Sequence, residues 1–90
     1  FLAYLAAECG MSANTIAAYR NDLRQFTEWS TTRRIKSVQA VDLALLGDYL
    51  QALHERSLSA STIARRLVAL KMFFRYLVLE GVLTQSAVDL

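Results

Sequence analysis

The sequence has no proline, three glycines, one cysteine, one histidine and one tryptophan. Each shortage excludes something. Without proline and with so little glycine, a turn-rich β architecture is disfavoured and long helices are favoured. A single cysteine, Cys9, cannot close an intramolecular disulfide, and it points to a reducing, cytoplasmic compartment. Cys9 and the lone His54 cannot build a metal ligand set. A carboxylate site fails as well, because Asp42 and Asp48 do not share a helix face, so no metal is expected. No glycine-rich phosphate loop is present, and with it goes any expectation of a nucleotide cofactor. No apolar run approaches the length of a membrane span, so no membrane partner is expected. The opening FLAYLAA is apolar but lacks a basic flank and an initiator methionine; it reads as part of a longer chain and not as a signal peptide. Acid is also locally scarce. Residues 56–79 carry five cations, Arg56, Arg65, Arg66, Lys71 and Arg75, and no acid, whereas Glu8, Asp42, Asp48 and Glu55 fall elsewhere.

What is present suits one small helical domain. Of the 90 residues, 54% are hydrophobic and 20% charged, enough for a core and too apolar for disorder. Net charge is only +2, so the placement of charge says more than its total. Four main helices are expected. The first covers about residues 1–9, with Gly10 as its stop. The second covers about 13–29 with Ser12 as N-cap. The third covers about 40–55, with Gly47 weakening it. The fourth covers about 60–80 between Ser59 as N-cap and Gly81 as stop. The polar, basic stretch 30–39 joins two helical hairpins. Solvation accounts for its Arg33, Arg34 and Lys36 at least as well as a binding role does.

The second and fourth helices echo each other at an offset of 47. Ser12, Ala13, Thr15, Ile16, Ala17, Leu23 and Phe26 recur as Ser59, Ala60, Thr62, Ile63, Ala64, Leu70 and Phe73. Helical periodicity assigns Ile16, Tyr19, Leu23 and Phe26 to the core on one, and Ile63, Leu67, Leu70, Phe74 and Leu77 on the other. Ser61, Arg65 and Met72 fall opposite the second stripe, with Thr62, Arg66 and Ala69 on its flanks. Asn14, Ala18, Asn21 and Gln25 fall opposite the first, with Arg20 and Arg24 stacked on a flank.

No catalytic constellation emerges, so enzymatic activity of this chain is not expected. His54 reads as a partner for a helix C-terminus, the hydroxyls at helix starts as caps, and the four tyrosines as core or boundary residues. A binding surface has more support. Ser59, Ser61, Thr62, Arg65 and Arg66 repeat the placement of Ser12, Asn14, Thr15, Ala17, Ala18 and Asn21. Hydroxyls and amides meet phosphate or base edges, Arg reads guanine with two hydrogen bonds, and small alanines admit a helix deep into a groove. Taken singly, each residue is explained by capping or helix propensity; the recurrence is what suggests a shared surface.

FLAYLAAECGMSANTIAAYRNDLRQF, the YLQAL segment and LSASTIARRLVALKMFFRYLVLEG together resemble the N-terminal core-binding domain of tyrosine recombinases and phage integrases of the XerC/XerD type. The resemblance spans residues 1–81. It implies an all-α, SAM-like bundle of four main helices arranged as two crossed helical hairpins. Residues 82–90 would then start a linker toward a C-terminal catalytic domain. The implied role is a non-catalytic clamp on double-stranded DNA at a recombination site, used in DNA integration and recombination, with other recombinase subunits as further partners and no small-molecule substrate. By position, Asn14, Thr15, Ala17, Ala18 and Asn21 fall on one DNA-facing surface and Ser61, Thr62, Arg65 and Arg66 on the other. Arg65 is the candidate for base contact, and Arg66, Lys71, Arg20 and Arg24 are candidates for phosphate. The family's catalytic residues have no counterpart here, since His54-Glu55-Arg56-Ser57 is not its His-x-x-Arg. The parent protein would break and rejoin strands through a phosphotyrosine link without metal or nucleotide. One departure is the absence of the family's Asn-Pro after the fourth helix, where residues 84–87 read TQSA. A helical protein-interaction or oligomerisation module is the alternative.

Overall fold

The computed structural model describes residues 1–84; the expected linker lies largely outside the described residues. Four α-helices follow one another: α1 (Leu2–Ala7), α2 (Ala13–Thr32), α3 (Leu43–Glu55) and α4 (Ala60–Leu79), with a short 3-10 turn at Val38–Ala40. No strand occurs among the described residues, and no helix of theirs is long and apolar enough to cross a membrane. The expected four-helix, all-α class is therefore the one observed.

The ends of the helices show why they lie where they do. Ser12 and Ser59 cap α2 and α4 in near-identical backbone conformations, φ/ψ −68/159 and −64/154. Each hydroxyl accepts the amide of the third residue on, Thr15 at 3.3 Å and Thr62 at 3.2 Å, satisfying one of the unpaired donors of a helix start. Asp42 caps α3 in the same way, accepting the Leu45 amide at 2.8 Å, so α3 starts three residues later than periodicity suggests. At the far end of α4, Gly81 takes φ +76. The Val82 amide there reaches Leu77 O and the Gly81 amide reaches Val78 O. That is the paired-bond stop in which a left-handed residue turns the chain. Arg34 does the same work after α2 at φ +62, with Ile35 N–H on Ser30 O and Arg34 N–H on Thr31 O, and α2 runs to Thr32 as a result.

α1 packs on α2, α3 on α4, and α2 on α4 across the middle. The core gathers Phe26, Leu46, Tyr49, Leu53, Ile63, Leu70, Phe74 and Leu77. Each such side chain taken from water contributes about 1.5–3 kcal/mol. Two aromatic layers reinforce it. Phe1 and Tyr4 of the N-terminal segment stack against Phe73 and Tyr76 in the second half of α4, with centroids 5.1–5.6 Å apart. Tyr49 of α3 stacks 5.0 Å from both Phe26 and Trp29 in the second half of α2. These layers cover the C-terminal halves of the two long helices. The N-terminal halves, 13–21 and 60–65, are exposed or half-buried, with Ile63 alone fully buried there.

The buried faces differ from the apolar stripes in one respect. On α2 the fully covered line is Asp22, Phe26 and Ser30, while Ile16, Tyr19 and Leu23 are only half-buried. On α4 Ile63, Leu70, Phe74 and Leu77 of the expected stripe are buried but Leu67 is only half-buried, and Arg66 and Ala69, placed on its flank by periodicity, are buried too. The α2–α4 contact is closer than apolar residues alone indicate, and it is built around charge.

Candidate nucleic-acid interface

The exposed half of α2 begins at the Ser12 cap, whose hydroxyl also donates to Thr15 Oγ1 at 3.0 Å. On α4, the Ser59 hydroxyl donates to Thr62 Oγ1 at 2.9 Å and lies 3.2 Å from that of Ser61. The internal echo is thus a repeated local structure: two exposed helix starts with the same serine–threonine pair, to which the α4 start adds Ser61. Both starts present unpaired backbone amides and the positive end of a helix dipole. Asn14, Ala17, Arg20, Arg24, Ser61, Arg65 and Lys71 are exposed, and Thr15, Ala18, Asn21 and Thr62 are half-covered. Arg24 donates to Asn21 Oδ1 at 2.7 Å and sits 4.0 Å from Glu28, an exposed pair. Arg20 and Lys71 form no ion pair among the described residues.

The centre of the α2–α4 contact is a carboxylate held by two arginines. Asp22 is fully buried. Arg65 Nε donates to Asp22 Oδ2 at 3.0 Å and Arg65 Nη2 to Asp22 Oδ1 at 2.8 Å, a bidentate grip. Arg66 Nε stands 3.8 Å from the same Oδ1. The hydrogen bond to Asp22, with its charge, holds the Arg65 guanidinium above its ordinary pKa against the opposing effect of burial. So Arg65 stays charged throughout the accessible pH range, and its side chain keeps 44% of its surface in solvent.

Arg66 requires a correction. Periodicity put it on an exposed flank as a phosphate candidate. Its side chain is only 9% exposed, which removes it from any surface a duplex can reach. It serves instead as the second countercharge to Asp22, and its Nε and Nη1 meet no hydrogen-bond acceptor among the described residues. The reason is steric. Residue 66 stands three after Ile63 and four before Leu70, both buried, so a stripe counted by apolar type skips a charged member. Asp22 is the member of this cluster that sequence reasoning missed. Its only signal is an acid at the edge of an apolar stripe, and its partner lies 43 residues away.

The connecting segment is used structurally at Arg33. Its guanidinium lies 5.0 Å from the Trp29 ring centroid and 3.5 Å from Asp48, which fastens the end of α2 to α3. Arg34 and Lys36 are exposed. His54 stands exposed in the last turn of α3, where a helix C-terminus favours a cation. No group of three or more metal-ligating side chains exists among the described residues.

A family model described as phage integrase, N-terminal SAM-like domain, matches residues 1–81. A tyrosine recombinase XerC of Herpetosiphon aurantiacus is 48% identical over 77 residues, covering 86% of this chain and 25% of the relative. The XerC of Roseiflexus castenholzii is 42% identical over 89 residues, 99% of this chain and 28% of the relative. That of Xylella fastidiosa strain 9a5c is 41% identical over 81 residues, 90% of this chain and 28% of the relative. The chain therefore spans about a quarter of the length of these relatives. No solved structure matches it.

Proposed function

The chain belongs to the family of phage integrase N-terminal SAM-like domains, and from that membership we propose that it clamps double-stranded DNA at a recombination site without itself performing chemistry. The observation that carries this reading is the pair of matching exposed helix starts on α2 and α4, left uncovered by the aromatic layers. Asn14, Thr15, Ala17, Ala18 and Asn21 form one contact surface, and Ser59, Ser61, Thr62 and Arg65 the other. Arg65 takes the base-edge contact through donors that Asp22 leaves unused. Arg20, Arg24 and Lys71, exposed on the flanks, take phosphates. Residues 1–81 are the binding unit, with 82–90 leading onward. In the whole protein the strand chemistry belongs to a tyrosine nucleophile in a separate catalytic domain, and neighbouring recombinase subunits are partners.

Mutation separates the two kinds of contact. Arg65→Ala is expected to lower sequence preference, whereas Arg20→Ala weakens all duplexes about equally and reduces the salt slope of log affinity by about one. Competition binding with specific and scrambled duplexes checks this; equal effects from both variants would sink the division of roles. A second reading, a protein-interaction module, has its own observation: Val68 and Leu79 on α4, with Val82 after it, expose 45%, 72% and 45% of their surfaces. Salt tells the two apart, since an apolar interface is far less salt-sensitive than phosphate contacts.

A further inference from the structure

Among the described residues, Asp22 is the one acid fully buried in the molecule, and it joins the middle of α2 to Arg65 in the first half of α4. Resting on the DNA-binding reading above, we propose that Asp22 is a positioning residue that aims Arg65 at the duplex.

A guanidinium has five N–H donors on a rigid plane. Asp22 takes the Nε–H and one Nη2–H of Arg65. Three N–H groups remain, on the edges turned away from the carboxylate. The grip is asymmetric in depth: the Asp22 side chain has no exposed surface, while that of Arg65 keeps 44%. The inner edge of the fork is anchored and the outer edge stands in solvent. An unanchored arginine loses rotamer freedom when it binds; one already held by a buried partner loses less and offers its donors in one orientation. The N7 and O6 acceptors of guanine in the major groove accept from such an edge.

The charge arrangement fits the same role. A carboxylate placed only to neutralise Arg65 would leave the site uncharged. Arg66, 3.8 Å from Asp22 Oδ1, adds a second cation to one acid, so the cluster stays net positive toward the duplex. Because Arg66 is buried, it balances Asp22 from within and leaves the outward position to Arg65.

The test uses the 90-residue chain and its D22N, R65K and R65A variants. Wild type selects from a library of randomised duplexes, and fluorescence anisotropy then compares the selected duplex with a scrambled one of equal length. D22N removes a negative charge, so electrostatics alone holds or raises affinity for scrambled DNA, while the preference for the selected duplex is expected to fall about tenfold. R65K keeps the charge but not the fork. It is expected to lose a similar share of preference, and R65A marks the full loss. Circular dichroism melts accompany each variant. If D22N does not fold, R65K decides, because it leaves Asp22 an ammonium partner.

Wild-type preference retained in R65K, or in folded D22N, overturns the proposal. So does a D22N that weakens both duplexes equally, the mark of a purely structural ion pair. A wild type that binds both duplexes alike overturns it while leaving DNA binding intact. A wild type that binds neither removes the DNA-binding reading as well.

Discussion

Residue by residue, the molecule contains two positions where the sequence sits below its own optimum. Gly47 lies inside α3, exposed, with nothing within 4 Å of where a Cβ would stand. It meets no turn and no close approach, so its only effect is the entropy a glycine loses in a helix. Gly47→Ala is expected to raise stability by about 1 kcal/mol, read as a higher urea midpoint at constant slope. Tyr49 is the second. Its hydroxyl is buried with no hydrogen-bond partner, and burial pushes its pKa above the ordinary 10.0, an effect that the nearby Arg66 and Arg56 cations oppose without cancelling. A raised folded pKa means that the native state holds the proton more tightly than the unfolded chain. The contribution is therefore complete below about pH 10 and is lost as pH rises through the folded value. Tyr49→Phe is expected to hold or raise stability at pH 7 and to flatten the fall in thermal midpoint between pH 9 and 11, relative to wild type. An unchanged alkaline slope would place that sensitivity in another tyrosine.

These residues also mark where the sequence stops being legible. Leu70, Phe74 and Leu77 are buried as their spacing predicts, because an apolar side chain announces its burial by its type. Asp22 and Arg66 do not. A charged residue is buried only when a distant partner compensates it, and a pairing across 43 residues leaves no periodic trace. The role of exposed Arg33 leaves as little trace, since Asp48, one of its partners, lies across the connection.

At the level of elements, local chemistry sets the boundaries. The Ser12 and Ser59 caps were readable because a hydroxyl before an apolar run is a strong start signal, and Gly81 because a glycine at positive φ turns the chain after α4; α1 ends at Ala7 with Glu8 as C-cap, short of the expected stop at Gly10. The stops after α2 and α3 were not readable, since Arg34 and Ser57 hold φ +62 and +58 without being glycine. The repeated cap predicts a repeated energy. Ser12→Ala and Ser59→Ala should each cost about 1 kcal/mol, alike within a few tenths, because the two caps match in dihedral angles and bond lengths. Chemical denaturation of the two variants checks this. A large difference would mean that one helix start carries tertiary load that the other does not.

Over the whole molecule, cover is distributed unevenly. Rings from the N-terminal segment and from α3 bury the second halves of α2 and α4, and a bundle whose principal extents are 35 × 30 × 23 Å is left with two uncovered helix starts. Between them Asp22 of α2 holds Arg65 and Arg66 of α4, two cations to one acid, so the α2–α4 contact stays net positive in a chain whose total charge is only +2. Membership of the phage-integrase N-terminal family makes duplex DNA the partner to test first, and the proposal puts its contact at the exposed starts.

The most direct measurement is a backbone-amide NMR titration of the chain with a generic duplex at low and at moderate salt. Shifts clustered at residues 14–21 and 59–65, fading as salt rises, are the expected result. No shifts at low salt, or shifts confined to α1 and α3, would contradict the DNA-facing assignment of α2 and α4.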